Sequence, residues 1–284
     1  MSDLGALLFA RYAYPPNELG YCGPAGAAEL LRSDLPGEIA RRARGFDGAW
    51  AYLEYLSLVA AAPSPGSVTP DRPDRPDRPH RPHPATPDGP GSATPDRPDP
   101  AARDPLDPAV VEAYWVGNAL LDPPDFPDLL GFLGARFVGQ VGGTWESAGG
   151  RALPHHSFHV FEVYPWASLL RRTGNPTAVA VLDRCRIRTG RVISVAGETA
   201  RVTSRPLVWD GSALAPGPVR EENVAWSAGG RSLLAGLSPG DLVALHWDWV
   251  CDVITEEQAG RIEELEERQL RASFPSPESV VPPG

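Results

Sequence analysis

The 284-residue sequence has no lysine, one methionine and only three cysteines, Cys22, Cys185 and Cys251. Without lysine there is no Schiff-base chemistry and no phosphate loop that depends on a lysine. Three scattered cysteines cannot build a disulfide framework, which fits a reducing, cytoplasmic setting. Positive charge is also scarce: 26 basic side chains, all arginine, face 36 acidic ones, for a net charge of −10. Nucleic acids and anionic membranes both select basic surfaces, so neither is an expected partner. No run of 18 apolar residues suggests a membrane span, and no charged stretch leading into an apolar core suggests a signal peptide. Gly-x-Ser-x-Gly elbows, Cys-x-x-Cys pairs and glycine-rich phosphate loops are missing too.

Proline, in contrast, is abundant at 33 residues. Residues 63–108 include "PDRPDRPDRPHRPH", a three-residue repeat with almost nothing apolar to bury. Such a density of proline prevents helix and sheet pairing, so this stretch is expected to be a disordered insertion with polyproline II character.

On either side the pattern is helical. Residues 1–62 hold "LGALLFARYAY", stopping at Pro15-Pro16, then a turn at Cys22-Gly23-Pro24, and a long helix from Pro36 with Ile39, Phe46, Trp50, Leu53, Leu56 and Val59 near helical spacing. Residues 109–177 continue with "AVVEAYWVGNALLD", "DFPDLLGFLGARFVGQ" and "SFHVFEVYPWASLLRRTG". Arg171, Arg172 and Gly174 suit a helix stop.

From about residue 178 the period shortens to that of strands. β-Branched and polar residues alternate, with turn signals at Ala196-Gly197-Glu198, Asp210-Gly211 and Pro239-Gly240-Asp241. Several short strands in about 75 residues suggest a small barrel. "TEEQAGRIEELEERQLRASF" then reads as a helix capped by Thr255. The expected class is α+β: a mainly helical N-terminal region (1–62 and 109–177, split by the insertion) and a small OB-like β-barrel with a C-terminal helix over 178–284.

Residues 183–271 resemble the HypC/HupF hydrogenase assembly chaperones. That family begins with Cys, four residues, then Gly-Lys/Arg-Val; here these are Cys185 and Gly190-Arg191-Val192. A Gly-x-x-Ala-x-Val hairpin follows as Gly197, Ala200 and Val202. Leu233-Leu234, the turn Gly240-Asp241, a strand ending in His246, and an acidic helix with Glu256, Glu257 and Ala259 complete the series. In the family the cysteine is the mature N-terminus, whereas Cys185 is internal, and the family's proline before the glycine is Thr189. The stretch between Val202 and Leu233 is longer than usual. The N-terminal helical region, with "LFARYAYPPNELGYCGP", resembles an uncharacterised bacterial family. The HypC/HupF resemblance implies a non-enzymatic accessory protein in nickel–iron hydrogenase maturation. It would handle iron, transiently bound, with the hydrogenase large subunit or a maturation scaffold protein as partner. It further implies that Cys185 contacts the metal and that His246 lies nearby.

The residues themselves leave alternatives open. A thiolate is a soft ligand that suits such iron. Strand alternation would instead place Cys185 with Ile187 and Thr189, opposite Arg184, Arg186 and Arg188, as a small buried hydrophobe. His155 and His159 in "PHHSFHVF" stand at i, i+4, a weaker metal pair. Cys22 could act as a nucleophile with His159 as its base. An interaction module without metal, or a thiol- or metal-dependent enzyme on the helical region, are the rival functions. Replacing residues 63–105 by a short Gly/Ser linker should leave the thermal midpoint within about 5 °C; a larger fall would mean that the segment packs.

Overall fold

The computed structural model describes residues 2–60, 103–123, 125–126 and 128–275, so most of the proline-rich stretch lies outside the described residues. The chain is α+β. Its first helix, α1 (Asp3–Glu18), is capped by Ser2, whose side chain accepts from the Gly5 N–H. The expected stop at Pro15-Pro16 does not occur: α1 runs through both prolines for one further turn. Proline removes an N–H without forbidding helical φ, so the helix continues while two carbonyls upstream lose their donors.

After a 3-10 turn at Ala27–Leu31 come α2 (Pro36–Ala43) and α3 (Asp47–Val59). The single long helix expected here is broken in two around Gly45. α4 (Pro108–Trp115) has Asp107 as N-cap and proline in its first turn, and α5 (Leu129–Arg136) follows. α6 (His156–Phe158) opens directly into a π-helical turn, His159–Val163, and α7 (Trp166–Thr173) ends at Gly174 in the left-handed region.

α8 (Pro176–Cys185) corrects the strand expected from residue 178. Asn175 Oδ1 caps it by accepting from the Thr177 N–H at 2.8 Å. Ala178, Val181, Leu182 and Cys185 are its buried residues. They stand at i, i+3, i+4 and i+7, so the apparent alternation of "AVAVLDRC" was the buried face of a helix.

β1 (Arg188–Ala196) and β2 (Thr199–Ser204) form a hairpin, and β3 (Leu207–Trp209) and β4 (Leu214–Pro216) a second, separate one. β5 (Arg220–Ala225), β6 (Leu242–His246) and β7 (Trp249–Val253) complete a closed barrel in the order β1-β2-β5-β7-β6. Val192, Ala200, Val202, Val224, Val243, Leu245 and Val250 fill it. The additional length between Val202 and Leu233 contains the β3–β4 hairpin, which packs Leu207 and Leu214 on α8 beside Val181 and Leu182.

α9 (Glu256–Ser273) starts with a full capping box between Thr255 and Gln258. Its buried residues include Ala259, Ile262, Leu265 and Leu270. The barrel and the helices share one core: Ala244, Trp249, Cys251 and Ile254 belong to the same apolar cluster as Phe9, Ala13, Leu53 and Trp115. The arginines around Cys185 are structural. Arg186 and Arg188, each 3% exposed, pair with Glu266 and Glu222, while Arg184 pairs with Asp248. Among the described residues no helix is long and apolar enough to cross a membrane.

Gly190 has no room for a side chain. A Cβ there would lie 2.8 Å from Leu245 Cδ1 and 3.0 Å from the Thr203 carbonyl oxygen. Gly190→Ala should therefore cost about 1–3 kcal/mol by overpacking, measured as a lower urea midpoint at unchanged m-value. An unchanged midpoint would show that the barrel gives way without cost.

Candidate metal centre

Cys185 is the last residue of α8, where backbone carbonyls have no partner within the helix. Site residues take up two of them. The Trp247 N–H donates to the Arg184 carbonyl at 2.7 Å, and His156 Nε2 donates to the Cys185 carbonyl at 2.8 Å. A carbonyl can only accept, so Nε2 of His156 carries the proton and Nδ1 keeps its lone pair. The Tyr114 hydroxyl lies 3.3 Å from that Nδ1.

His246 ends β6 and is 1% exposed. Its Nδ1 donates to the Tyr12 carbonyl at 2.7 Å. In a regular helix that carbonyl would accept from residue 16, and in a tighter one from residue 15. Both are proline and have no N–H. The freed carbonyl fixes the tautomer of His246 and leaves Nε2, a buried lone pair without a partner among the described residues.

These elements bring His156, Cys185 and His246 together. One ring nitrogen of each histidine and the Cys185 sulfur all lie within 4.8 Å of one another, and all three residues are buried. Trp115 packs on both rings, at 4.6 Å from His156 and 5.7 Å from His246. Each histidine thus has one ring nitrogen bonded to a backbone carbonyl, which fixes its ring orientation.

The ionisation states suit a cation and not a nucleophile. Burial holds the His156 imidazole at about 4 and His246 well below its ordinary value, so both are neutral ligands at physiological pH. Burial, and then the neighbouring Cys22, push the Cys185 thiol far up. Its place at a helix C-terminus works in the same direction, because the negative end of the dipole disfavours a thiolate but favours a bound cation.

The site opens into a cleft of about 690 Å³ that is also lined by Cys22 and His159. Burial pushes the Cys22 thiol to about 12 and His159 down to about 3. The pair therefore stays a neutral thiol and a neutral imidazole, and does not form the ion pair that a cysteine nucleophile needs. The expected metal pair His155/His159 is also corrected. His155 is the N-cap of α6: its Nδ1 accepts from the Ser157 N–H at 3.1 Å, and neither histidine belongs to the three-residue group. Capping turns residue 155 back on its own helix, and the neighbouring His156, read as no more than part of a helix start, points to Cys185. Cys251 is core, as expected, at 1% exposure.

The profile of a family of unknown function, DUF6390, matches residues 1–66 and 100–275. The chain belongs to the DUF6390 family. No curated protein and no solved structure matches it. Residues 67–99, most of the proline-rich stretch, fall outside the DUF6390 match, while all three candidate ligands fall inside it.

Metal binding by this DUF6390 protein should release one proton, that of the Cys185 thiol, because both histidines are already neutral. Affinity for Co(II) is then expected to rise about tenfold per pH unit between about pH 5.5 and 8. Titration calorimetry in two buffers of different ionisation enthalpy counts the proton. A count of zero would exclude Cys185 as a ligand.

Proposed function

We propose that this protein is a non-enzymatic accessory factor of nickel–iron hydrogenase maturation that holds iron transiently as cargo. The observation that carries this reading is the convergence of Cys185 and His246, the two residues that the HypC/HupF resemblance singles out, with ligating atoms within 4.8 Å. They come from opposite ends of the barrel sequence. Their third companion, His156, comes from the helical region and supplies a donor that the resemblance does not include.

The donor set fits the cargo. One thiol and two neutral imidazoles suit a borderline-to-soft divalent ion. Three protein ligands leave coordination incomplete, which favours transfer over retention, whereas a closed four-ligand site would retain its metal. The cleft beside Cys185 offers a side from which a maturation scaffold protein or the hydrogenase large subunit can reach the ion. The rival reading of a thiol-dependent enzyme has no activated thiol to support it. An interaction module without a metal gives no reason for a thiol and two imidazoles to converge within 4.8 Å.

Cys185→Ala in the native host decides between the two accessory readings. Loss of most hydrogenase activity and of iron co-purifying with the protein is expected, at unchanged protein level. Wild-type activity and unchanged iron content would leave the interaction module in place of the chaperone.

A further inference from the structure

One hydroxyl stands beside the three donors without being one of them. Tyr114 is on α4, and its oxygen lies 3.3 Å from His156 Nδ1, the nitrogen that keeps its lone pair. The other side of the ring sets the roles. His156 Nε2 gives its proton to the Cys185 carbonyl at 2.8 Å, so Nδ1 can only accept and the phenol is the donor. No other hydrogen bond of the Tyr114 hydroxyl occurs among the described residues.

The phenol is held in this place by packing. Tyr114 is 1% exposed. Its ring stacks on Tyr52, at 5.3 Å between centroids, and meets Trp115 and His156 edge-on at 4.7 and 5.7 Å. Burial, reinforced by Tyr52, pushes the phenol well above its ordinary range, so it keeps its proton and remains a donor.

An imidazole nitrogen has one lone pair, in the plane of its ring. It can take the phenol proton or a metal ion, but not both. An ion bonded at about 2.0–2.1 Å from Nδ1 would displace a proton directed at that same lone pair. His246 differs in this respect, because its Nε2 has no partner among the described residues. The two histidines are therefore unequal ligands: one is open, and the other is capped by a donor fixed beside it.

We propose that the Tyr114 hydroxyl competes with the metal for His156 Nδ1, weakening the site and helping it to give up its cargo. This rests on the metal reading of the site. As an ion leaves, a proton donor already in position takes its place at Nδ1, so the buried acceptor is not left unmade. Loading runs the other way: the phenol, packed among three rings, gives up its hydrogen bond. Its proton stays on oxygen throughout. Tyr114 thus acts on the metal through His156, as a positioning residue and not as a ligand.

The test titrates the wild-type chain and Tyr114→Phe with Co(II), whose visible bands report its ligands. Tyr114→Phe keeps the ring and removes the hydroxyl. Co(II) affinity should rise about tenfold, with slower loss of the ion to excess EDTA. Removing a merely structural contact would loosen the site and lower the affinity instead. Equal or lower affinity in Tyr114→Phe overturns the proposal. If that variant does not fold, nitrogen NMR of the metal-free wild-type chain with labelled histidine decides, the His156 signals being identified by their loss in His156→Gln. Nε2 should be protonated and Nδ1 should show the shift of a hydrogen-bonded acceptor. An Nδ1 with a free lone pair, or a protonated Nδ1, overturns the proposal. Failure of the wild-type chain to bind Co(II) at all would remove the metal reading itself, so the two failures are told apart.

Discussion

The Tyr12 carbonyl is available to His246 because Pro15 and Pro16 follow it without an N–H between them. That freed acceptor joins the first helix of the chain to the end of β6, 234 residues away. It sets the imidazole tautomer and does so across the contact between the helical region and the barrel. The same helix holds the barrel by a second polar contact, from Arg11 to Asp252 at 2.7 Å, and by the apolar cluster that runs through Phe9, Trp115 and Trp249. The donor site exists only while these two parts are packed on each other.

The end of α8 makes the complementary contribution. Its last carbonyls face His156 and the Trp247 backbone, and its last side chain is the thiol. A helix C-terminus is a poor place for an activated cysteine and a good one for a cation. The same geometry that keeps the Cys185 thiol neutral therefore prepares it to lose its proton to a metal. A helix N-terminus at this point would have favoured the opposite chemistry, a thiolate nucleophile.

Around this centre several buried charged groups are paired. Arg186 binds Glu266 and Asp183, and Glu162 accepts from Ser273 Oγ at 2.8 Å and from Gln269 Nε2 at 3.4 Å. These contacts tie α9, the π-helical turn and the start of β1 into one frame.

Much of the architecture was legible in local pattern. Turn residues marked the hairpins at Gly197 and Gly211, Thr255 marked the start of α9, and Gly174 the end of α7, because each is a matter of backbone chemistry within a few residues. The α+β class followed from the same signals. Three features were not legible. α8 was hidden because "AVAVLDRC" satisfies both a two-residue and a 3.6-residue period, and its buried face emerges only once neighbours cover it. His156 was overlooked in favour of the i, i+4 pair, because N-capping by His155 and the π-helical turn after it break the regular spacing. Cys185 and His246 were named together on a resemblance, yet their approach depends on a carbonyl freed in α1, which no pattern near either residue reveals. The sequence by itself determined where the chain turns, which faces are apolar and which chemistry is excluded for want of lysine and positive charge. The tertiary structure decided which donors meet and in which protonation state, because convergence and burial are properties of elements distant in the chain and packed together.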